Sequence, residues 1–255
     1  MLDLNRTYCM DCGAGMALLD PGCVDVIVTS PPYNLGKKYT VYNDKKELDE
    51  YLTWLEAIAF RSKRVLSDKG SFFLNVGGSL TQPWIPFDVA RRFKQHYVLQ
   101  NVIHWIKSVV YPDGTCSGHY QPITSPHYHH NDHEFIFHFT KNGDVELDKN
   151  AIGIPYQDKN NVSRWKSSGA DLHDRGNVWF IPYATIKSAR SHPSPFPPLL
   201  PEMCIRDHGV QRTGVVLDPF MGIGSTAQAC RKLNVQYIGF DIDPAYVAAA
   251  NEVVQ

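Results

Sequence analysis

Residues 26–34 read VIVTSPPYN, an apolar run that ends in Thr29, Ser30, Pro31, Pro32, Tyr33 and Asn34. Val24 to Val28 has the composition of a buried strand, and residues without an N–H cost little where a chain leaves a sheet. What such a corner offers is hydrogen-bond acceptance. The Ser30 hydroxyl is one acceptor, and the Pro31 carbonyl, held rigid by the fixed φ of the two prolines, is another. Tyr33 adds a flat face on which a planar group can stack. Ser30 is not a general base: a hydroxyl has far too high a pKa to take a proton at neutral pH, so it orients and accepts. The plain structural alternative is a strand end in a proline turn, with Tyr33 in the core.

A second stretch, DPFMGIGST from Asp218 to Thr226, lies between a strand signal and a helix signal. Its glycines let the backbone approach a ligand closely, and the N-terminus of the following helix favours a negative group. Roughly 20 residues on, Asp241 ends the next strand, where an acid can hold two ribose hydroxyls. Loop and acid together predict a nucleoside cofactor. The GxG spacing without a third glycine argues against a dinucleotide.

These stretches need elements to position them. Leu48 to Leu66 reads as an amphipathic helix with Leu52, Leu55, Ile58 and Ala59 inward, followed by a turn at Asp68-Lys69-Gly70 and a strand at Ser71 to Val76. Phe87 to Gln95 predicts a helix, and Val98 to Ile106 a strand. Near the C-terminus the same rhythm returns as a strand at Val215 to Leu217, a helix at Ala227 to Leu233, a strand at Tyr237 to Phe240 and a last helix at Ala245 to Val254, capped by Asp243-Pro244. The βαβ rhythm predicts a parallel sheet with helices on both faces. From Val109 to about Pro201 that rhythm fails: the stretch holds ten of the 17 prolines, and only Glu134 to Phe139 reads clearly as a strand. A loop-rich insert of this kind is usually functional.

The bulk composition sets outer limits. A chain of 255 residues, 43% hydrophobic and 20% charged, can build one large α/β core. No run reaches the length of a membrane span and MLDLNRTYCM lacks the blocks of a signal peptide, so a cytoplasmic protein without a membrane partner is expected. Six cysteines fit reduced thiols, and Cys9 with Cys12 has no second pair at zinc-site spacing, so no metal is expected. The formal charge is −1, yet residues 56–110 carry eight Lys or Arg against three acids and residues 151–212 eight against five. That segregation would suit phosphate binding on one face.

DPFMGIGST followed by IGFDID resembles the S-adenosylmethionine-binding motifs of DNA amino-methyltransferases, and TSPPYN resembles the catalytic motif of the same family. The catalytic motif comes first and the glycine loop last, an order similar to the permuted β class. MDCGAGMALLDPGCVDVIVTSPPYN and SHPSPFPPLLPEMCI extend the resemblance over most of the chain. It implies a doubly wound, Rossmann-like α/β methyltransferase sheet with a loop-rich target-recognition insert. Residues 1–108 would form the catalytic half, 109–190 the recognition region and 191–255 the cofactor half. By the same resemblance S-adenosyl-L-methionine is held by the loop residues Asp218, Phe220, Gly222, Gly224, Ser225 and Thr226. Asp241 would hold its ribose, Asp11 and the Cys12 backbone its adenine, and Ser194 its carboxylate end; Asp11 also reads as a helix N-cap.

Ser30, Pro31, Pro32 and Tyr33 would then act on a base amino group. Such a nitrogen is a poor nucleophile because its lone pair is delocalised into the ring, and acceptors on its two hydrogens would free that pair. The base must be flipped out of the duplex to arrive there. Ser at the first motif position resembles the N4-cytosine subgroup; N6-adenine methylation and a DNA-binding relative without catalysis are the alternatives. The expected partner is double-stranded DNA with a short specific site, with room for a homodimer and for a cognate restriction endonuclease on a separate chain. Arg164 and Lys166, beside Trp165 and Trp179, are the residues expected to touch DNA. The six histidines of residues 108–143 read as loop or phosphate contacts rather than metal ligands.

Overall fold

The computed structural model of the protein describes residues 2–118, 125–159, 171–183 and 195–252. Twelve strands are present among them: β1 Arg6–Cys9, β2 Val24–Thr29, β3 Leu66–Val76, β4 Val98–Ile106, β5 Val109–Val110, β6 Cys116–Ser117, β7 His133–Thr140, β8 Ile154–Pro155, β9 Leu172–His173, β10 Val178–Phe180, β11 Val215–Asp218 and β12 Gln236–Asp241. The α-helices are α1 Cys12–Ala17, α2 Leu48–Val65, α3 Ile85–Phe93, α4 Leu199–His208, α5 Ser225–Leu233 and α6 Pro244–Glu252. None of the described helices is long and apolar enough to cross a membrane.

Eight strands form one sheet in the order β1-β12-β11-β2-β3-β7-β4-β10, while β5 with β6 and β8 with β9 make two small hairpins. Side chains alternate across it as the period of two demands. Ile27, Phe72 and Leu74 join the core under α1, α2 and α3. Val26, Val28 and Phe73 join the opposite core, under α4 and α5. Both faces being covered explains why these strands read as nearly continuous apolar runs. Each fully buried Phe or Leu contributes about 1.5–3 kcal/mol.

Two expectations need correction. The sheet is not all parallel, because β7 runs antiparallel between β3 and β4. The chain leaves β4 and returns to the same edge, where the Lys107 N–H donates to the Asp132 carbonyl at 2.7 Å. The described residues between them form the β5–β6 hairpin and no crossover helix, in keeping with the antiparallel pairing of β4 and β7. The turn expected at Asp68-Lys69-Gly70 is instead a bulge within β3: Val24 pairs with Leu66 and Val26 with Ser71. The region 109–190 also supplies β10, which adds to β4 at the sheet edge. Its strands β7 and β10 are thus part of the central sheet.

One buried polar line crosses this junction. His138 stacks on Phe73 with ring centroids 4.5 Å apart. The Asn101 amide reaches its Nδ1 at 3.1 Å, its Nε2 lies 3.0 Å from Ser71 Oγ, and Ser71 Oγ lies 2.9 Å from His208 Nδ1. Burial pushes the His138 pKa down to about 3 and that of His208 to about 4, so both are neutral in the native protein. A folded-state pKa below the unfolded one means that stability is complete above the unfolded value near 6.5 and is lost as pH falls through it. The His138 term alone should cost about 2 kcal/mol by pH 5. Urea unfolding between pH 7.5 and 5 should therefore show His138→Gln losing less stability than the parent chain; parallel pH curves would refute this account.

Candidate active site

β1, β12, β11, β2 and β3 run parallel, so Cys9, Asp241, Asp218, Thr29 and Val76 all end at one edge of the sheet. In open α/β sheets ligands bind at that edge. β11 and β2 are neighbours, which brings the glycine loop after Asp218 and the corner after Thr29 side by side although 189 residues separate them. A fully buried carboxylate fastens the two. Asp218 accepts from the Thr29 hydroxyl at 2.6 Å, the Thr226 hydroxyl at 2.6 Å and the Phe220 N–H at 3.0 Å. Burial pushes its pKa up to about 6 against the pull of those donors.

A cavity opens over this edge. Ser30, Pro31, Pro32 and Tyr33 line one side, and Asp11, Cys12, Phe220, Gly222, Ser225 and Asp241 line the other. Asp218, Gly224 and Thr226 do not reach it. Asp218 and Thr226 stand behind the wall as the fastening just described, and Gly224, at φ +92°, turns the chain into α5 with its Cα packed close to Ala250. Ser194, Arg164 and Lys166 lie outside the described residues.

Each lining residue is placed by local structure. Asp11 caps α1, accepting from the Ala14 N–H at 2.9 Å, so the capping role and the place on the cavity wall coexist. The Asp241 carboxylate accepts from the Gly222 N–H and the Asp243 N–H, both at 2.9 Å, which ties the glycine loop to the end of β12. Burial raises its pKa above the ordinary carboxylate value. Beside it, Asp243 Oδ2 is buried on the same wall without a protein partner, an acceptor that a ligand hydroxyl or amino group would satisfy.

The proline corner after β2 is equally constrained. The Tyr51 hydroxyl donates to the Pro32 carbonyl at 2.8 Å. Asn34, in the left-handed region at φ 59°, exchanges bonds with the Lys46 backbone at 2.9 and 2.7 Å. Asp44 collects the N–H groups of Asn34, Leu35 and Lys37, folding residues 35–46 into a closed loop. That loop carries Tyr39 and Tyr42 onto the cavity wall, where Trp54 and Tyr246 also lie. Trp54 packs edge-on against Phe220 at 5.4 Å and tilted against Tyr42 at 5.7 Å. This aromatic wall has no spacing signal, because its members come from a loop, α2 and α6. Tyr33 presents its ring to the cavity while its hydroxyl bonds Ser30 Oγ at 2.6 Å and Glu134 Oε2 at 2.9 Å. Burial and the neighbouring Glu134 hold the phenol well above its usual pKa, so it stays protonated.

Set beside known proteins, the chain matches a family model described as DNA methylase over residues 24–252. It is 30% identical to type II methyltransferase M.ScaI of Streptomyces caespitosus, covering 89% of this chain and 73% of that one. Against type II methyltransferase M.BglII of Bacillus subtilis the identity is 29%, over 98% of this chain and 69% of the other. Among solved structures, PvuII DNA methyltransferase (cytosine-N4-specific) aligns with a TM-score of 0.73 at 20% identity, over 98% of this chain and 86% of its own. M1.HpyAVI in complex with SAM aligns at 0.60 and 19% identity, over 98% and 99%. The Rossmann-like methyltransferase architecture is thereby shared. With the family model spanning both motifs, the chain belongs to the N6/N4 DNA methylase family.

Proposed function

We propose that this DNA methyltransferase modifies the N4 amino group of a cytosine flipped out of duplex DNA at a short specific site. The observation that carries the reading is the meeting of Ser30 and Tyr33 with Gly222 and Asp241 around one cavity. S-adenosyl-L-methionine supplies the electrophilic methyl group. Asp241 and the orphan acceptor of Asp243 suit its ribose and amino hydrogens, and the SAM complex of M1.HpyAVI on the same fold supports the assignment.

Tyr33 stacks the flipped base. Ser30 Oγ and the Pro31 carbonyl accept its two amino hydrogens and draw the nitrogen lone pair out of conjugation. With S-adenosyl-L-methionine held by the Gly222 loop and Asp241, the nitrogen so readied would take the methyl group in exchange for one N–H proton, which would leave to solvent. Positioning and the exclusion of water by the aromatic wall supply most of the rate. Residues 109–190, with Arg164 and Lys166, are assigned to target recognition. The type II names of the relatives support a setting with a restriction endonuclease on a separate chain.

The base is assigned from Ser30, since adenine enzymes of this family generally carry an acid at that position. Nucleosides released from DNA methylated by the purified protein should contain N4-methylcytosine by mass spectrometry. N6-methyladenine would overturn the base, and absence of any methyl transfer would favour a binding-only relative. Ser30→Ala should cut turnover by about 100-fold or more with cofactor affinity intact. Asp241→Ala should weaken cofactor binding about 10- to 100-fold, as loss of charge-assisted hydrogen bonds predicts. Calorimetry and single-turnover transfer separate the two effects, and equal loss of cofactor affinity in both variants would contradict the division of roles.

A further inference from the structure

Behind Ser30 and Tyr33 lies a line of hydrogen bonds whose other members, Lys107, Glu134 and Asn75, do not line the cavity. Lys107, just past β4, places Nζ 3.1 Å from Glu134 Oε1. Glu134, on β7, places Oε2 2.9 Å from the Tyr33 hydroxyl and 2.7 Å from Asn75 Nδ2. Asn75 Nδ2 also reaches the Tyr33 oxygen at 2.7 Å, and that oxygen lies 2.6 Å from Ser30 Oγ. Room for the arrangement is made by Gly77, where a Cβ would stand 2.9 Å from Glu134 Cγ and 3.1 Å from Tyr33 Cε2.

The hydrogens in this line can be counted. A carboxylate only accepts and an amide nitrogen only donates. The single hydrogen of Tyr33 therefore goes to Glu134, while Asn75 donates to both. In this orientation Asn75 Oδ1 is buried without a protein partner, while the alternative would set an amide oxygen against the Glu134 carboxylate. For the 2.6 Å contact only one direction remains: Ser30 donates to Tyr33. The Asn75 amide nitrogen lies a long 3.4 Å from Ser30 Oγ, with its two hydrogens already directed at the closer Tyr33 and Glu134 oxygens, so the Ser30 lone pairs remain available to a ligand.

We propose that Glu134, held by Lys107, is a positioning residue for methyl transfer: it fixes the direction of the Ser30–Tyr33 hydrogen bond, so that Ser30 meets the substrate amino group only as an acceptor. The inference rests on the reading of Ser30 given above and adds the device that enforces it. Without that device the hydroxyl could turn its hydrogen toward the amino group and leave the nitrogen lone pair in conjugation.

Glu134→Gln tests it. The amide oxygen of the variant would turn to the Lys107 ammonium, presenting N–H to Tyr33; Tyr33 would then donate to Ser30 and occupy one of its lone pairs. Single-turnover transfer of tritiated methyl to DNA should fall about 10- to 100-fold, with cofactor and DNA affinity unchanged. In a Tyr33→Phe background the same substitution should have almost no further effect, because no hydroxyl remains to redirect. Adding Lys107→Met should restore part of the rate, since the amide oxygen can then face Tyr33; this pair also serves if the single variant fails to fold. Equal losses in both backgrounds, no loss at all, or no recovery with Lys107→Met would overturn the proposal. If the parent chain moved no methyl to DNA, or Ser30→Ala kept full turnover, the reading of Ser30 itself would fall instead.

Discussion

The site depends on one buried carboxylate. Asp218 ends β11 without any exposure to water, a position that costs several kcal/mol for a charge unless donors surround it. Three do: the hydroxyls of Thr29 and Thr226 and the N–H of Phe220. They come from the catalytic corner, the first turn of α5 and the glycine loop. The same bonds that make the charge tolerable therefore fix the corner that carries Ser30 against the loop that carries Gly222. Thr29 belongs to the TSPPYN motif for this reason, one step removed from chemistry.

Much of this was legible in the chain, and the boundary has physical causes. β2, α2, β11, α5 and β12 carry local signals, namely apolar runs, helical spacing and glycine punctuation, and they fold close to where those signals point. The α2 residues Leu52, Leu55, Ile58 and Ala59 are buried as their spacing requires. α4 was hidden by its prolines. Pro198 precedes that helix and Pro201 is its third residue, where the missing N–H has no partner within a helix to lose. Residues from Trp179 to Tyr183 could be read as a strand, but β10 could not be placed, because a three-residue strand is positioned by the β4 edge it joins. The clasp between Asn34 and Asp44 left no signal either. Its spacing of ten residues belongs to no regular element, and only the folded loop shows why an asparagine able to adopt positive φ follows Tyr33.

The cavity residues divide in the same way. Ser30, Tyr33, Gly222 and Asp241 stand in motifs and could be named from spacing. Tyr39, Tyr42, Trp54 and Tyr246 come from unrelated segments and meet only because the Asp44 loop folds over the sheet edge. They supply what a motif cannot, an apolar surround that excludes water and strengthens each remaining hydrogen bond.

Where β7 enters the sheet also bears on the chemistry. Because it runs antiparallel, its first residues rather than its last stand at the edge where β2, β3 and β4 end. Glu134 is the second residue of β7, and it faces Tyr33 after β2, Asn75 near the end of β3 and Lys107 just past β4. A parallel strand would have put its own C-terminal residues there, and Glu134 would have sat at the far edge of the sheet. The antiparallel strand, drawn from the stretch where the βαβ rhythm fails, thus delivers a carboxylate behind the corner of Ser30 and Tyr33. The middle third of the chain reaches the cavity residues through β7, whose Glu134 bonds Tyr33 directly.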